Sequence, residues 1–267
     1  MHPIERLRYV ARSSGADPAI LVREAAGGLL GLGVDPSGIV TACRRIVDRH
    51  PTVGPLWWLA ARVLTAPDGR SEARRAAAEI AADTTADALA DALPDDARVC
   101  VLGWPSIAGD ALARRGDCSA FVIDVLDEGS GLVRRLQRLA VEVNEVGAAG
   151  LGAAVQASTV VLLEASAIGP DGALAVVGSL AAASVARAAG VPVWLVGGVG
   201  RLMPARMWDS IVARVDDLGE RWELDDDIVP LELIDMIVGP VGVEVPAAAL
   251  ARTDCPIAPE LFRPTAF

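Results

Sequence analysis

Val99-Cys100-Val101-Leu102-Gly103-Trp104-Pro105-Ser106 is a short apolar run that ends in a Gly/Pro turn, and Ile107 to Arg115 follows it with helical spacing. The unit recurs. The apolar runs Ala120-Phe121-Val122-Ile123, Val141-Glu142-Val143, Thr159 to Leu163 and Val193-Trp194-Leu195-Val196 alternate with the helix-length segments Leu132 to Leu139, Ala148 to Ala157 and Ala173 to Ala189. Strands joined by crossover helices imply a parallel sheet covered on both faces. Residues 94–267 are therefore expected to form a Rossmann-like α/β domain with a mostly parallel sheet.

Upstream, from about Ile4 to Ala90, the spacing is helical throughout, so residues 1–93 are expected to form a small helical domain. Ile20-Leu21 leads to Leu29-Leu30, Gly33 with Asp35-Pro36-Ser37 marks a stop and restart, and Ile39 to Val47 is the next helix. His50-Pro51 ends it, because the residue before proline avoids the α region. Leu56-Trp57-Trp58-Leu59 through Leu64 is a third apolar helix, and Ser71 to Leu93 is an Ala-rich fourth.

Composition narrows the chemistry. In 267 residues, 52% are hydrophobic, enough to bury a core without disulfides or metal staples. All 24 basic residues are Arg, which removes Schiff-base and P-loop lysine chemistry. A net charge of −11 with scattered arginines argues against nucleic-acid binding, which needs a concentrated positive face. Charges in Met1-His2-Pro3-Ile4-Glu5-Arg6 disfavour a secretory leader, and Pro170 and Asp171 interrupt the weakly polar stretch from Ala167 to Ala186, so a cytoplasmic chain without membrane spans is expected. Cys43, Cys100, Cys118 and Cys255 lack C-x-x-C spacing, and with His only at positions 2 and 50 no zinc site is expected; buried free thiols are. Met203 stands where the third glycine after Gly198-Val199-Gly200 would be needed, so the dinucleotide fingerprint fails, and no cofactor is expected.

Ligands of an open parallel sheet bind beyond the carboxyl ends of the strands. The loops there are Gly103-Trp104-Pro105-Ser106, Asp124 to Gly131 with Asp127, Asn144-Glu145, Ser166 to Gly172 with Asp171, and Gly197 to Pro204. Asn144, the chain's only Asn, is either a site residue or a turn residue. Gly178-Ser179 offers either backbone donors to a phosphate or close packing of glycine on the sheet, and Arg201 and Arg206 are either a phosphate clamp or surface charges.

Val161-Leu162-Leu163-Glu164-Ala165-Ser166-Ala167-Ile168-Gly169-Pro170-Asp171-Gly172, continuing to Val177-Gly178-Ser179 and to Ala186-Arg187-Ala188-Ala189-Gly190-Val191-Pro192-Val193, resembles the initiation factor 2B alpha/beta/delta family. That family includes methylthioribose-1-phosphate isomerase and ribose-1,5-bisphosphate isomerase. Its usual form is a strand, Gly-Ala-Asp-x-Ile-x-x-Asn-Gly, Asn-Lys-x-Gly-Thr, then a helix ending before Gly-Ile/Val-Pro-Val. Val229-Pro230-Leu231-Glu232-Leu233-Ile234-Asp235-Met236-Ile237-Val238, with Gly242 and Pro246, is similar to the family's closing Pro-x-Glu-Leu-Ile block. The resemblance spans most of residues 95–250 and implies an N-terminal helical domain, a Rossmann-like domain, a phosphorylated ligand and a homodimer formed through the C-terminal domain.

The chain departs from the family where the isomerases do chemistry. Their Cys after the first strand falls at or near Gly103, their Asp falls on Ser166, their Asn-Lys pair falls on Val176-Val177, and an Arg after the second strand falls on Leu126. None of these replacements carries a proton at neutral pH, so the resemblance implies an inherited fold without the catalyst. Cys100, inside an apolar strand, and Asp171 are the substitute catalytic candidates. Asp124, Asp127 and Asp171 are expected in turns and caps, and the acidic run from Glu220 to Asp227 as a solvated loop.

The expected function is thus a non-catalytic, self-associating regulatory or scaffold protein that binds a sugar phosphate or nucleotide through Gly103, Trp104, Ser106, Asp127, Asn144, Glu145, Ser166, Asp171, Gly178, Ser179 and Arg201. The alternative is an aldose–ketose isomerase acting on a phosphorylated pentose with a rearranged site. A weaker third is a translation-associated role exerted through protein contacts.

Overall fold

In the computed structural model, which describes residues 17–31 and 36–262, five helices precede the first strand. They are α1 (Pro18–Leu30), α2 (Pro36–Arg49), α3 (Gly54–Thr65), α4 (Gly69–Ala81) and α5 (Thr85–Ala92). Then come β1 (Arg98–Leu102), α6 (Ser106–Arg114), β2 (Ser119–Asp124), α7 (Gly129–Arg138), β3 (Glu142–Gly147), α8 (Leu151–Ala157), β4 (Val160–Ile168) and β5 (Gly172–Val176). The chain continues through α9 (Ser179–Ala189), β6 (Val193–Val196), α10 (Ala205–Asp216), β7 (Asp226–Pro230), β8 (Met236–Gly239), β9 (Gly242–Glu244) and α11 (Pro246–Leu250). The helical expectation between Ile4 and Ala16 and the Gly33–Asp35 stop lie outside the described residues.

The main sheet has the order β3-β2-β1-β4-β6-β8-β9, parallel up to the final β8–β9 pair. The expected α/β class with a mostly parallel sheet holds. β1 and β2 run on one side of the chain's first crossover and β4 lies on the other flank of β1, so the switch in strand order falls between β1 and β4. This is where open α/β sheets open a crevice. The apolar runs of β1 and the first half of β4 are buried on both faces, as strands under two helix layers must be.

Several boundaries differ from the sequence expectation, each for a physical reason. Asn144 and Glu145 are not in a sheet-end loop: β3 runs on through Gly147, and both residues are exposed on an edge strand paired with β2 alone. Ser166 is likewise inside a strand, because β4 continues to Ile168 by leaving the main sheet. Its first half pairs with β1 and β6; its second half pairs antiparallel with β5, with a register shift between Ala165 and Ala167. Ala173 to Val176, expected as the start of a helix, is β5, because β4 and β7 pair with it on both sides and override alanine's helix propensity. Asp226 and Asp227 open β7 and do not lie in a solvated loop. The expected Ser71–Leu93 helix breaks at Asp83, whose Oδ1 accepts from Thr85 N (2.9 Å) and the Thr85 hydroxyl (2.5 Å), starting α5 as a separate helix.

The helical layer packs on the rim of the sheet. Trp57 and Trp58 are fully buried among α1, α3, α4, α10 and the segment from Cys255 to Leu261. Trp57 Nε1 donates to Pro51 O (3.0 Å) and Trp58 Nε1 to Asp254 Oδ1 (3.2 Å), so both indoles enter the core with their polar atoms satisfied. α5 instead joins the core beneath β1, β2 and β8 through Leu89 and Ala90. The four cysteines are all free and buried, as expected from their spacing. No helix among the described residues is long and apolar enough to cross a membrane.

α3 meets β4 at Gly54, where an added Cβ would lie 2.5 Å from the backbone oxygen of Ser166. Gly54→Ala is expected to destabilise the fold by about 1–3 kcal/mol in urea unfolding, because a backbone oxygen in a bulged strand has nowhere to move. Gly152→Ala, on α8 with nothing within 4 Å of the new methyl, should be neutral or stabilising by up to about 1 kcal/mol.

Candidate functional site

A cleft of about 550 Å³ opens between the carboxyl ends of β1 and β4. Leu102, Trp104 and Ser106 come from the turn after β1, Glu164 to Ser166 from the point where β4 changes sheet, Asp127, Glu128 and Arg134 from the loop after β2 and from α7, and Asp17 from the cap of α1. Val176, Ser179, Arg201 and Asp226 close it. Of the candidates named from sequence, Trp104, Ser106, Asp127, Ser166, Ser179 and Arg201 line this cleft, and Gly103 sits between two residues that do.

Other candidates stand elsewhere. Asn144 and Glu145 are on the edge strand, Asp171 is exposed in the β4–β5 turn, and Gly178 lies behind the wall, where its φ of +91° turns the chain into α9. Cys100 is fully buried in the core and burial pushes its thiol up to about 12. Arg206 stacks on Phe262, 4.5 Å from the ring centre, outside the cleft.

Glu164 organises the cleft. Its Oε2 accepts from Ile107 N (2.8 Å) and Ala108 N (3.1 Å), the free donors at the start of α6, while its Oε1 accepts from the Ser106 hydroxyl (3.2 Å). The Arg201 guanidinium donates to the same Oε1 through both terminal nitrogens (3.2 Å each) and to Ala165 O (2.5 Å). Arg201 is only 6% exposed, so it is neither a surface charge nor a free clamp. A helix N-terminus with an arginine beside it is a ready-made phosphate site. Here the chain's own carboxylate fills it.

The same device repeats around the rim. Asp227 Oδ2 accepts from Leu180 N at the start of α9 (2.9 Å), Asp124 Oδ1 from Gly129 N at the start of α7 (2.8 Å), and Asp83 Oδ2 from Val199 N in the loop after β6 (2.8 Å). The expected turn and cap role of Asp124 is thus the observed one. Each carboxylate complements the positive end of a helix or a cluster of N–H donors.

Asp17 caps α1 in the same way, accepting from Ala19 N (2.7 Å), whereas the Glu128 side chain makes no cap bond to α7 and Asp226 lies in β7. Leu126 and Asp127 both adopt left-handed φ, +56° and +59°, a conformation costing about 1–2 kcal/mol per non-glycine residue. This turn carries Asp127 and Glu128 to the cleft. Burial raises the pKa of Glu128 and the nearby charge of Asp225 adds to it. Asp226 is pushed up to about 6, first by burial, then by the neighbouring charges of Asp225 and Asp227, against a hydrogen bond from Thr52 that stabilises its anion. Among the described residues no group of three or more His, Cys, Asp or Glu is placed to hold a metal ion.

Glu164, Glu128 and Asp226 escaped the sequence reasoning. Glu164 follows four apolar residues and Asp226 sits in an acidic run, but their roles depend on which strand ends meet.

No family model matches the sequence, and no curated protein does. Solved structures do. The translation initiation factor eIF-2B of Pyrococcus horikoshii OT3 superposes with a TM-score of 0.74 at 16% identity, over 93% of this chain and 98% of that one. A chain of the tetrameric eIF2B-beta2-delta2 complex from C. thermophilum gives 0.74 at 17% identity over 93% and 92%. eIF2B delta from Chaetomium thermophilum gives 0.67 at 15% identity over 89% and 96%. This chain has the eIF2B-subunit fold. The similarity covers the helical layer and the sheet alike, so the eIF2B-type architecture includes the elements that build the cleft.

Two outcomes test the site. Glu164→Gln leaves the buried Arg201 charge without its counter-ion and is expected to cost about 3 kcal/mol in thermal unfolding. Phosphate buffer should stabilise Glu164→Ala more than the parent at equal ionic strength, because truncation vacates the anion site. For Asp226, whose folded-state pKa lies above the unfolded 3.8, the folded form keeps its proton while the unfolded form loses it as pH rises from about 4 to 6, so stability falls across that window. Asp226→Asn should remove this loss, stabilising the fold by on the order of 2 kcal/mol at about pH 7.5 with little change near pH 4, measured by urea unfolding across pH.

Proposed function

We propose that this chain is a non-catalytic, eIF2B-related cytoplasmic protein that binds a small molecule in the sheet-end cleft and associates with further copies of itself through its α/β domain, as a regulatory or scaffold subunit. The observation that carries this is the Glu164 carboxylate seated on the α6 N-terminus and on Arg201. A residue that holds the strongest electrophilic donors of the cleft in an internal ion pair leaves them unable to polarise a substrate carbonyl or bind its phosphate.

The isomerase alternative draws little from the geometry. Aldose–ketose isomerisation needs a base and an acid within reach of adjacent carbons. Cys100 is a buried thiol with its pKa pushed up to about 12, Asp171 is exposed in a turn, and neither lines the cleft. A sugar phosphate or nucleotide, the ligand class implied by the family resemblance, would meet Arg134 at the cleft mouth. The start of α6 and that of α9 are already taken by Glu164 and Asp227.

Self-association is supported by analogy with the solved eIF2B-beta2-delta2 complex, which is tetrameric. A translation-associated role through protein contacts would be compatible with such an assembly.

The purified chain is expected to show no turnover of ribose 1,5-bisphosphate or methylthioribose 1-phosphate and to sediment as a dimer. Isomerisation abolished by Cys100→Ser or Asp171→Asn would overturn the non-catalytic assignment, and a monomer at all concentrations would overturn the scaffold one.

A further inference from the structure

One corner of the cleft gathers acids and gives them no counter-ion. Asp226 pairs with Val176 across the β5–β7 register. Val176 and Glu128 both approach Gly103, where an added Cβ would lie 3.7 Å from Glu128 Oε2 and 3.8 Å from Val176 Cγ2. Asp225 adds negative potential to both carboxyls, and no ion pair to a basic side chain joins Glu128 or Asp226 among the described residues. Glu128 is exposed at the cleft mouth and Asp226 is half-buried, so carboxylates at different depths of this cleft are open to a cation.

A second, independent feature points the same way. The Ser179 hydroxyl lines the cleft, is 1% exposed, and is the one buried side-chain polar atom without a hydrogen-bond partner among the described residues. Such an atom in native structure calls for a partner. Trp104 also lines the cleft, with its ring packed over Gly131 and 44% of its surface open. An aromatic face is a favourable wall for a cation and its methylenes.

Resting on the assignment of this cleft as a ligand site, we propose that its inner corner binds an aliphatic amine, a linear diamine or polyamine, whose ammonium donates to Glu128, Asp226 and the Ser179 hydroxyl oxygen while its methylenes lie along Trp104 and Val176. Each ammonium has three donors, and the Glu128, Asp226 and Ser179 acceptors all line this cleft. A phosphate here would face two carboxylates, whereas an amine is attracted to both.

The test is calorimetric titration of the full chain with putrescine and spermidine, and with ribose 5-phosphate as the anionic control. Salt of about 0.15 M screens non-specific attraction to the −11 surface. Saturable amine binding is expected, weakened about tenfold by Glu128→Gln and by Asp226→Asn, and less by Ser179→Ala. Binding should also weaken as pH falls from about 7.5 to 5, where the carboxyls take up protons. Asp91→Asn, on the exposed face of α5, should bind as the parent does, and circular dichroism should show every variant folded. No amine binding, or binding unchanged in both Glu128→Gln and Asp226→Asn, overturns the proposal. Ribose 5-phosphate binding without amine binding overturns it while sparing the assignment of the cleft as a ligand site.

Discussion

The carboxylate of Glu164 ties three separate parts of the chain to one point at the sheet edge. It sits where β4 leaves the main sheet, and it accepts hydrogen bonds from the start of α6, from Ser106 and from Arg201 in the loop after β6. The strand that changes sheets, the first crossover helix and the loop after β6 are thereby fixed to one another. Charge-assisted bonds in a site shielded from water are stronger and more directional than neutral ones. The same contact occupies the backbone donors at the start of α6 that could otherwise hold an anion.

Around that lock the rim divides into satisfied and unsatisfied acids. Asp83, Asp124 and Asp227 each meet N–H donors and serve the backbone. Glu128 and Asp226 have no basic partner among the described residues, and burial, with the charge of Asp225 added, raises both pKa values. The left-handed pair Leu126 and Asp127 adds backbone strain at the same place. Backbone strain and an unpartnered buried hydroxyl thus fall in one cleft, although stability alone would favour their removal.

Fold and chemistry separate here. At 15–17% identity the likeness to solved eIF2B chains is a likeness of backbone architecture. Cys100 and Asp171 do not line the cleft, whose polar wall is made of Asp, Glu, Arg and Ser side chains.

Much of the fold was legible in the sequence because apolar runs of β-branched residues and Ala/Leu/Arg helices have different periods, and those periods report burial directly. The strands at 98–102, 119–124 and 193–196, the crossover helices between them and the helical N-terminal layer followed from that signal. So did the buried, free state of the cysteines. The β5 strand was hidden because alanine favours helix until two neighbouring strands claim its hydrogen bonds, and Asn144 was misplaced because an exposed edge strand carries turn-like polar residues. Trp104, Ser106, Asp127 and Arg201 were visible in the sequence as residues of sheet-end loops. Glu164, Glu128 and Asp226 were not, because the meaning of a carboxylate depends on which donors and which other charges lie within a few ångströms. Local periodicity thus determined the elements and their order, whereas the bend of β4 brought distant acids together and decided which of them are paired and which are left charged against one another.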